Sequence, residues 1–378
     1  MSQTQADNPF RPGSGIFPPL LAGRERETEI AMARIARTRE GHPHHTALLG
    51  EWAIGKTTLL MHWRRLLRDV GDVAVLSLAY PQPVGEFLDG VRLAVEADRL
   101  ASTTTPRDVE VGVDLGLANA KVRQTVGQRQ DGLRGALTRL ARHQLDRHAL
   151  ACILVDDIDL LADSREALLR LRALCLELYA DDLPISLVVA ANPSLFAGVG
   201  SAHESLIRFF EPLSLGPLDE RDAILALRIP LRDTGVTFDP SVLADIARTS
   251  AGRPYYLQKL AYFAFDAAVD QRVGEGEYRI AFERAFAAVS QEIFAGRWNA
   301  LSPSERSIVQ LLAREAEPRR SGDVEDLARR SGIAPAATRQ ALRRLASRGH
   351  VRRTANGHRG RYEVADPLFR RYLGMQTA

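Results

Sequence analysis

Two short stretches of this chain carry residue types and spacings suited to chemistry. In the first, Leu48–Leu60 (LLGEWAIGKTTLL), Gly50 is followed after four residues by Gly55, Lys56 and Thr57. This is the G-x-x-x-x-G-K-[ST] spacing of a phosphate-binding loop, in the strand–loop–helix setting that it requires. Glycines let the backbone curl until its N–H groups converge on a polyphosphate, and the helix that follows adds the positive end of its dipole. Lys56 would supply a point charge for the β- and γ-phosphates, and Thr57 a hydroxyl ligand for Mg²⁺. Gly50, Glu51, Trp52, Ala53, Ile54, Gly55, Lys56, Thr57 and Thr58 are therefore the candidate contacts to ATP or ADP. Lysine is scarce (Lys56, Lys121 and Lys259), so a chance match is roughly a one-in-a-thousand event. In the second stretch, Ala151–Leu161 (ACILVDDIDLL), an apolar run ends in Asp156 and Asp157. A buried strand ending in carboxylates is what a magnesium site needs. Asp156 would hold the ion through water and Asp157 would orient an attacking water. The other reading is strand-end Asp residues that cap the next helix.

The elements that must position these residues alternate in type. A helix is expected over 25–39 and a strand over 46–50, followed by a helix over 56–68. A β-branched strand covers 72–78, and Pro81–Pro83 break the chain before a helix over 85–99. Residues 101–130 mix small, apolar, Gly and Asp residues and read either as a β-hairpin or as a connector, with a DNA- or partner-contacting loop as a further reading. An amphipathic helix (133–148), the acidic strand, a buried strand over 184–191 that ends at Asn192, and a strand over 210–215 complete a parallel sheet. Helices over 218–229 and 240–249 follow, capped by Asp219 and Asp239. Gly252-Arg253-Pro254 then opens another helix, with proline at an early helical position.

The C-terminal part has its own character. Helices over 302–314, with a Ser302/Glu305 capping box, over 324–331 and over 335–348 precede a hairpin signalled by Asn356-Gly357. Three helices and a hairpin make a winged helix-turn-helix. Between Arg319 and Arg361, twelve arginines stand against three acids, a local net charge of +9. Leu342 and Leu345 face inward on the third helix. Arg339, Gln340, Arg343 and Arg344 lie on its other faces, where a major groove would be. Arg352, Arg353, Arg359 and Arg361 line the wing, suited to phosphates. A lid or docking surface is the other use of such a module.

Composition sets outer limits. The 378 residues allow two or three domains, and a chain 45% hydrophobic and 26% charged has a soluble globular profile. The overall net charge of +3 says little beside its uneven distribution. Cys152 and Cys175 sit in apolar patterns without metal-ligand spacing and read as buried reduced thiols. No apolar run approaches the ~20 residues of a membrane span. The polar, Pro/Gly-containing start is unlike a signal peptide and reads as a flexible segment over 1–15. A cytoplasmic protein with no membrane partner is expected.

The order of these parts resembles the AAA+ and STAND ATPases, especially the prokaryotic archaeal-type ATPase group and its origin-recognition-like relatives. The resemblance spans roughly 17–289. Gly23-Arg24 opens a G-R-x-x-E stretch like the adenine-side motif of that family, which implies main-chain packing on the base there. Asn192 stands at the place of sensor 1, Arg208 at that of an arginine finger reaching into a neighbour's nucleotide, and Arg253 at that of sensor 2, a γ-phosphate contact. The family usually has Glu where Asp157 stands, so the shorter carboxylate puts fast hydrolysis in doubt. Asp366-Pro367-Leu368-Phe369 resembles the D-P-L-F ending of the archaeal-type group and implies packing of the tail onto the winged helix.

The expected architecture is α/β: a P-loop NTPase (AAA+) core with a five-stranded parallel sheet over 16–217, a helical lid over 218–298 and a winged helix-turn-helix domain over 299–378. The expected function is Mg²⁺-dependent ATP binding and hydrolysis, with nucleotide state setting the lid and, through it, DNA binding by the winged helix. Self-association into an ATP-dependent oligomer would bring Arg208 to a neighbouring site. The alternative is a STAND-like signalling or defence switch with slow hydrolysis and a separate protein effector.

Overall fold

The structure, a computed structural model, describes residues 7–13, 21–68, 71–78, 81–101, 132–145, 150–195, 204–314, 323–353 and 360–376. It contains two compact units, Arg24–Gly50 with Lys56–Leu215, and Met1–Gly23 with Glu51–Gly55 and Gly216–Ala378. The 101–130 stretch, beyond its first residue, and the Asn356-Gly357 turn lie outside the described residues.

In the first unit, β1 (His45–Gly50), β2 (Gly71–Ser77), β3 (Leu150–Asp156), β4 (Ser186–Ala191) and β5 (Phe210–Leu215) form one sheet. The strand order is β2-β3-β4-β1-β5 and every neighbouring pair is parallel. Helix α1 (Glu25–Arg39) precedes β1, and α2 (Lys56–Arg68), α3 (Val84–Ala101), α4 (Leu133–Leu145), α5 (Ser164–Ala180) and α6 (Glu204–Phe209) connect the strands. The strands read as apolar runs because both faces are covered. Ala47, Ile153, Val155, Leu187 and Val189 enter one cluster, and the intervening Leu48, Leu154 and Val188 are also fully buried. Trp63 of α2 is buried, and its indole N–H donates to Thr28 of α1 at 3.1 Å. In a parallel sheet all C-terminal ends share one edge, so Gly50, Asp156 and Ala191 finish side by side.

The second unit begins with α7 (Glu220–Leu231), β6 (Thr237–Phe238), α8 (Pro240–Ser250), α9 (Pro254–Asp266), β7 (Arg272–Val273) and α10 (Glu275–Val289). A π-helical turn, Ser290–Phe294, joins α10 to α11 (Ala295–Asn299). Then come α12 (Pro303–Arg314), α13 (Val324–Ser331), α14 (Pro335–Ser347), an antiparallel pair of β8 (Val351–Arg353) and β9 (Tyr362–Val364), and α15 (Pro367–Met375). The capping box opens α12 as expected, with Ser302 N–H donating to Glu305 at 2.8 Å. Tyr256 of α9, Phe286 of α10 and Phe294 share one apolar cluster with Ile308, Leu342 and Phe369. The helices on either side of residue 298 thus bury their faces together.

Two expectations are corrected. Asp219 caps α7, accepting Asp222 N–H at 2.7 Å, but Asp239 does not cap α8. Its carboxylate is taken by Arg272, one 2.8 Å bond to each oxygen, because a guanidinium fork matches a carboxylate better than a single N–H does. The 1–15 segment, read as flexible, is docked over 7–13. Phe10 is 1% exposed among Phe238 and Phe265. The Asn8 amide donates to the Tyr262 carbonyl at 3.0 Å, and the Arg11 N–H to Gln258 at 3.2 Å. One buried aromatic outweighs the polarity of its neighbours.

Candidate phosphate-binding site and basic surface

In the sheet unit, β1 delivers Gly50 and α2 opens on Lys56. The Lys56 ammonium donates to the Gly50 carbonyl at 3.0 Å. Thr57 follows on α2, and its side chain hydrogen-bonds the carboxylate of Asp156 at the end of β3. Asp157, next along, is left-handed at φ 52° and donates its N–H to Asp156 at 3.0 Å. Lys56, Thr57, Asp156 and Asp157 are therefore brought together; Thr58 is half-buried one position on.

Burial dominates the electrostatics of the acidic pair. It raises the Asp156 carboxyl above the usual range, against the opposing pull of the Thr57 hydrogen bond and the Lys56 charge. Asp157 is pushed up to about 6, by burial first and by the Asp156 charge second. Two carboxylates held out of water side by side favour a cation or a shared proton. Among the described residues no cluster of three or more His, Cys, Asp or Glu could cage a metal by itself. One hydroxyl and one carboxylate suit Mg²⁺, which takes few protein ligands and completes its shell with water and phosphate oxygens.

The other sheet-unit candidates have distinct settings. Asn192 follows β4, and its main-chain N–H donates to Asp159 at 3.2 Å. Sequence reading missed Asp159; its signal is the third carboxylate of D-D-I-D. Arg208 lies on α6 at the start of β5, the edge opposite Gly50 and Asp156. Its side chain is 83% exposed and 3.8 Å from Glu204. Arg24 is buried, 3.7 Å from Glu27.

The crest of the loop, Glu51–Gly55, has its partners in the second unit. Ala53 and Gly55 are left-handed, at φ 65° and 94°, which curls this backbone. Arg253 is 7% exposed, donates to the Trp52 carbonyl at 2.7 Å and is paired with the Glu51 carboxylate. The guanidinium expected to face a γ-phosphate is thus engaged by an anion of the loop itself. The Trp52 ring is 39% exposed and meets Tyr255 and Tyr256, 5.4 and 5.9 Å away between centroids. Gly252, at φ 68°, has no alternative, since a Cβ there would stand 2.2 Å from the Leu218 carbonyl oxygen. Gly23, at φ 66°, faces Asp222, whose carboxylate would be 2.4 Å from an added Cβ. Of these partners, Glu51 and Trp52 were read only as loop residues; nothing local marks their pairing with Arg253, two hundred residues on.

On α14, Thr338, Ala341, Leu342 and Leu345 are buried, while Arg339, Gln340, Arg343 and Arg344 are exposed. On the β8–β9 ribbon, Arg352 is exposed and pairs with Glu363 at 2.8 Å. Arg353 lies over the Tyr362 ring at 5.9 Å, and Arg361 is half-buried. Arg359 lies outside the described residues. Cys152 and Cys175 are buried, and burial pushes each thiol up to about 12. Among the described residues no helix is long and apolar enough to cross a membrane.

No family model and no curated protein sequence matches the chain. Solved structures do. A Walker-type ATPase of Pyrococcus abyssi superposes with a TM-score of 0.66 at 14% identity, over 96% of this chain and 98% of that one. Cdc6p from Pyrobaculum aerophilum does so with a TM-score of 0.51 at 15% identity, over 96% of both chains. At such identities the likeness is one of fold: the five-stranded parallel sheet and its helices have the AAA+ P-loop NTPase arrangement.

Proposed function

We propose that this protein binds ATP with Mg²⁺, hydrolyses it, and couples nucleotide state to DNA binding through a C-terminal winged helix built from α12, α13, α14 and the β8–β9 ribbon. The observation that carries the first part is the meeting of Lys56, Thr57 and Asp156 at one sheet edge. In this reading Lys56 leaves the Gly50 carbonyl for the β- and γ-phosphates. Thr57 and Asp156 would hold the magnesium, which when bound would neutralise charge on the phosphates. Asp157 accepts the proton of the attacking water, and Asn192 orients that water. Arg253 exchanges Glu51 for the terminal phosphate, while Gly23 and Arg24 border the base.

Arg208 stands at the opposite sheet edge, exposed, which suits a role in a neighbouring copy's site and an ATP-dependent oligomer. The DNA part rests on the exposed Arg339, Gln340, Arg343 and Arg344, with Arg352, Arg353, Arg359 and Arg361 as phosphate contacts. Replacing Lys56 with Ala tests the site: calorimetry should find ATP affinity lowered at least about a hundredfold, and undiminished affinity would remove the assignment. For DNA, a duplex titration at two salt concentrations should show steep weakening as salt rises; no binding at low salt would remove that half.

A second reading, a slow STAND-like switch acting through a separate protein effector, is favoured by Asp157 in place of a longer carboxylate and by the Glu51–Arg253 pair, which would keep Arg253 from a phosphate. ADP retained by a monomer through purification would support it. ATP-driven assembly on DNA would support the first.

A further inference from the structure

The D-P-L-F stretch at the head of α15 has contacts that helix capping does not require. The Asp366 carboxylate is 3% exposed. One oxygen caps α15, accepting the N–H groups of Leu368 and Phe369 at 3.1 Å each. The other accepts the Tyr256 hydroxyl and pairs with Arg297 at 3.1 Å. Arg297 lays the same guanidinium over the Trp52 ring, 4.3 Å from its centroid, and Tyr256 touches that ring from α9. A cap needs only a surface carboxylate. Burying this one costs desolvation that its partners must offset, and those partners lead to the crest of the phosphate loop.

We infer that Asp366 and Arg297 are positioning residues of the phosphate loop. Through Trp52 they tie the loop's crest to the start of the last helix, so ordering at either place stabilises the other. The link rests on the nucleotide reading only for what the loop binds. If a triphosphate is the ligand, its affinity and the order of α15 depend on each other by the same factor.

Amide hydrogen exchange on the unliganded full chain tests the link. Asp366→Asn keeps the shape of the side chain and removes its charge. Exchange in the 48–56 peptide should speed up several-fold, though the change lies at the far end of the sequence. Because a buried substitution can unfold its surroundings, Trp52→Leu is the second variant, at a partly exposed position. It should speed exchange over 366–370 and leave the sheet strands unchanged. Arg297→Lys keeps a cation for Asp366 but loses the planar stack on Trp52, so it should loosen the loop and speed exchange over 366–370 by less than Asp366→Asn does. Exchange altered only around each substituted residue would overturn the proposal. In parallel, a fluorescent ATP analogue with Mg²⁺ should bind Asp366→Asn about tenfold more weakly than the parent. A parent that binds no analogue while the exchange effects appear would sink the nucleotide reading and leave the link standing. Tight binding with no exchange effects would do the reverse.

Discussion

Charges in this molecule are handled in two opposite ways. Asp156, Arg253 and Asp366 are buried, each with partners that fix its position. Arg339, Arg343 and Arg344 stand in water on α14, held at one end by their backbone. A buried charge has its position set by its surroundings, so it answers to the loss of one partner. An exposed charge keeps its solution properties, so it answers to ionic strength and adds to its neighbours. The first arrangement suits a site that must discriminate one ligand; the second suits a surface that gathers many weak contacts to a polyanion.

Between these two sets, the larger expected effect tests the buried one. Arg253→Gln removes the hydrogen bond to the Trp52 carbonyl and strands Glu51. It should cost about 2 kcal/mol of nucleotide affinity, roughly thirtyfold by calorimetry. A loss under about twofold would place Arg253 with the surface arginines. Next comes pH. Asp157 titrates near 6, so at pH 5 it is mostly protonated and unable to take a proton, and by pH 7 it is ionised. Magnesium held beside it would favour the ionised form, so single-turnover hydrolysis should rise with pH to a plateau, with its inflection below 6. The stability sign follows from the same shift. A carboxyl raised from 3.8 to about 6 on folding favours the native state below both values, and that contribution is lost as pH rises through 6. Asp157→Asn should therefore melt higher than the parent at pH 7.5 and alike at pH 4 by scanning calorimetry; a lower melting point at pH 7.5 would contradict the buried-charge account. The smallest effect belongs to the exposed set. Arg343→Ala should weaken DNA binding about threefold at every sequence tested, flatten the log–log salt slope by ~0.9, and leave the melting point unchanged.

Local signals made much of this legible. The phosphate loop, the acidic end of β3 and the proline-led α9 each need a particular residue at a particular local position, and the five parallel strands announce themselves as apolar runs. What escaped depends on residues far apart in the chain. Phe10 looks like part of a polar tail until Phe238 and Phe265 are folded beside it. Asp239 has the position of a cap, yet Arg272 takes its carboxylate. Arg297 sits in an unremarkable stretch, and only the fold brings Trp52 and Asp366 to either side of it. Asp157 stands out in the sequence by its neighbour, but the shift of its titration comes from burial that no spacing encodes.

The widened turn at Ser290–Phe294 carries a consequence for the whole C-terminal half. Such a turn holds one residue more than an ordinary one, and a residue advances a helix by about 100°. Everything after it, including Arg297 and the arginine-bearing α14, is clocked around the axis of α10 by that single surplus residue. Trimming it would leave a more regular helix and α14 turned in another direction.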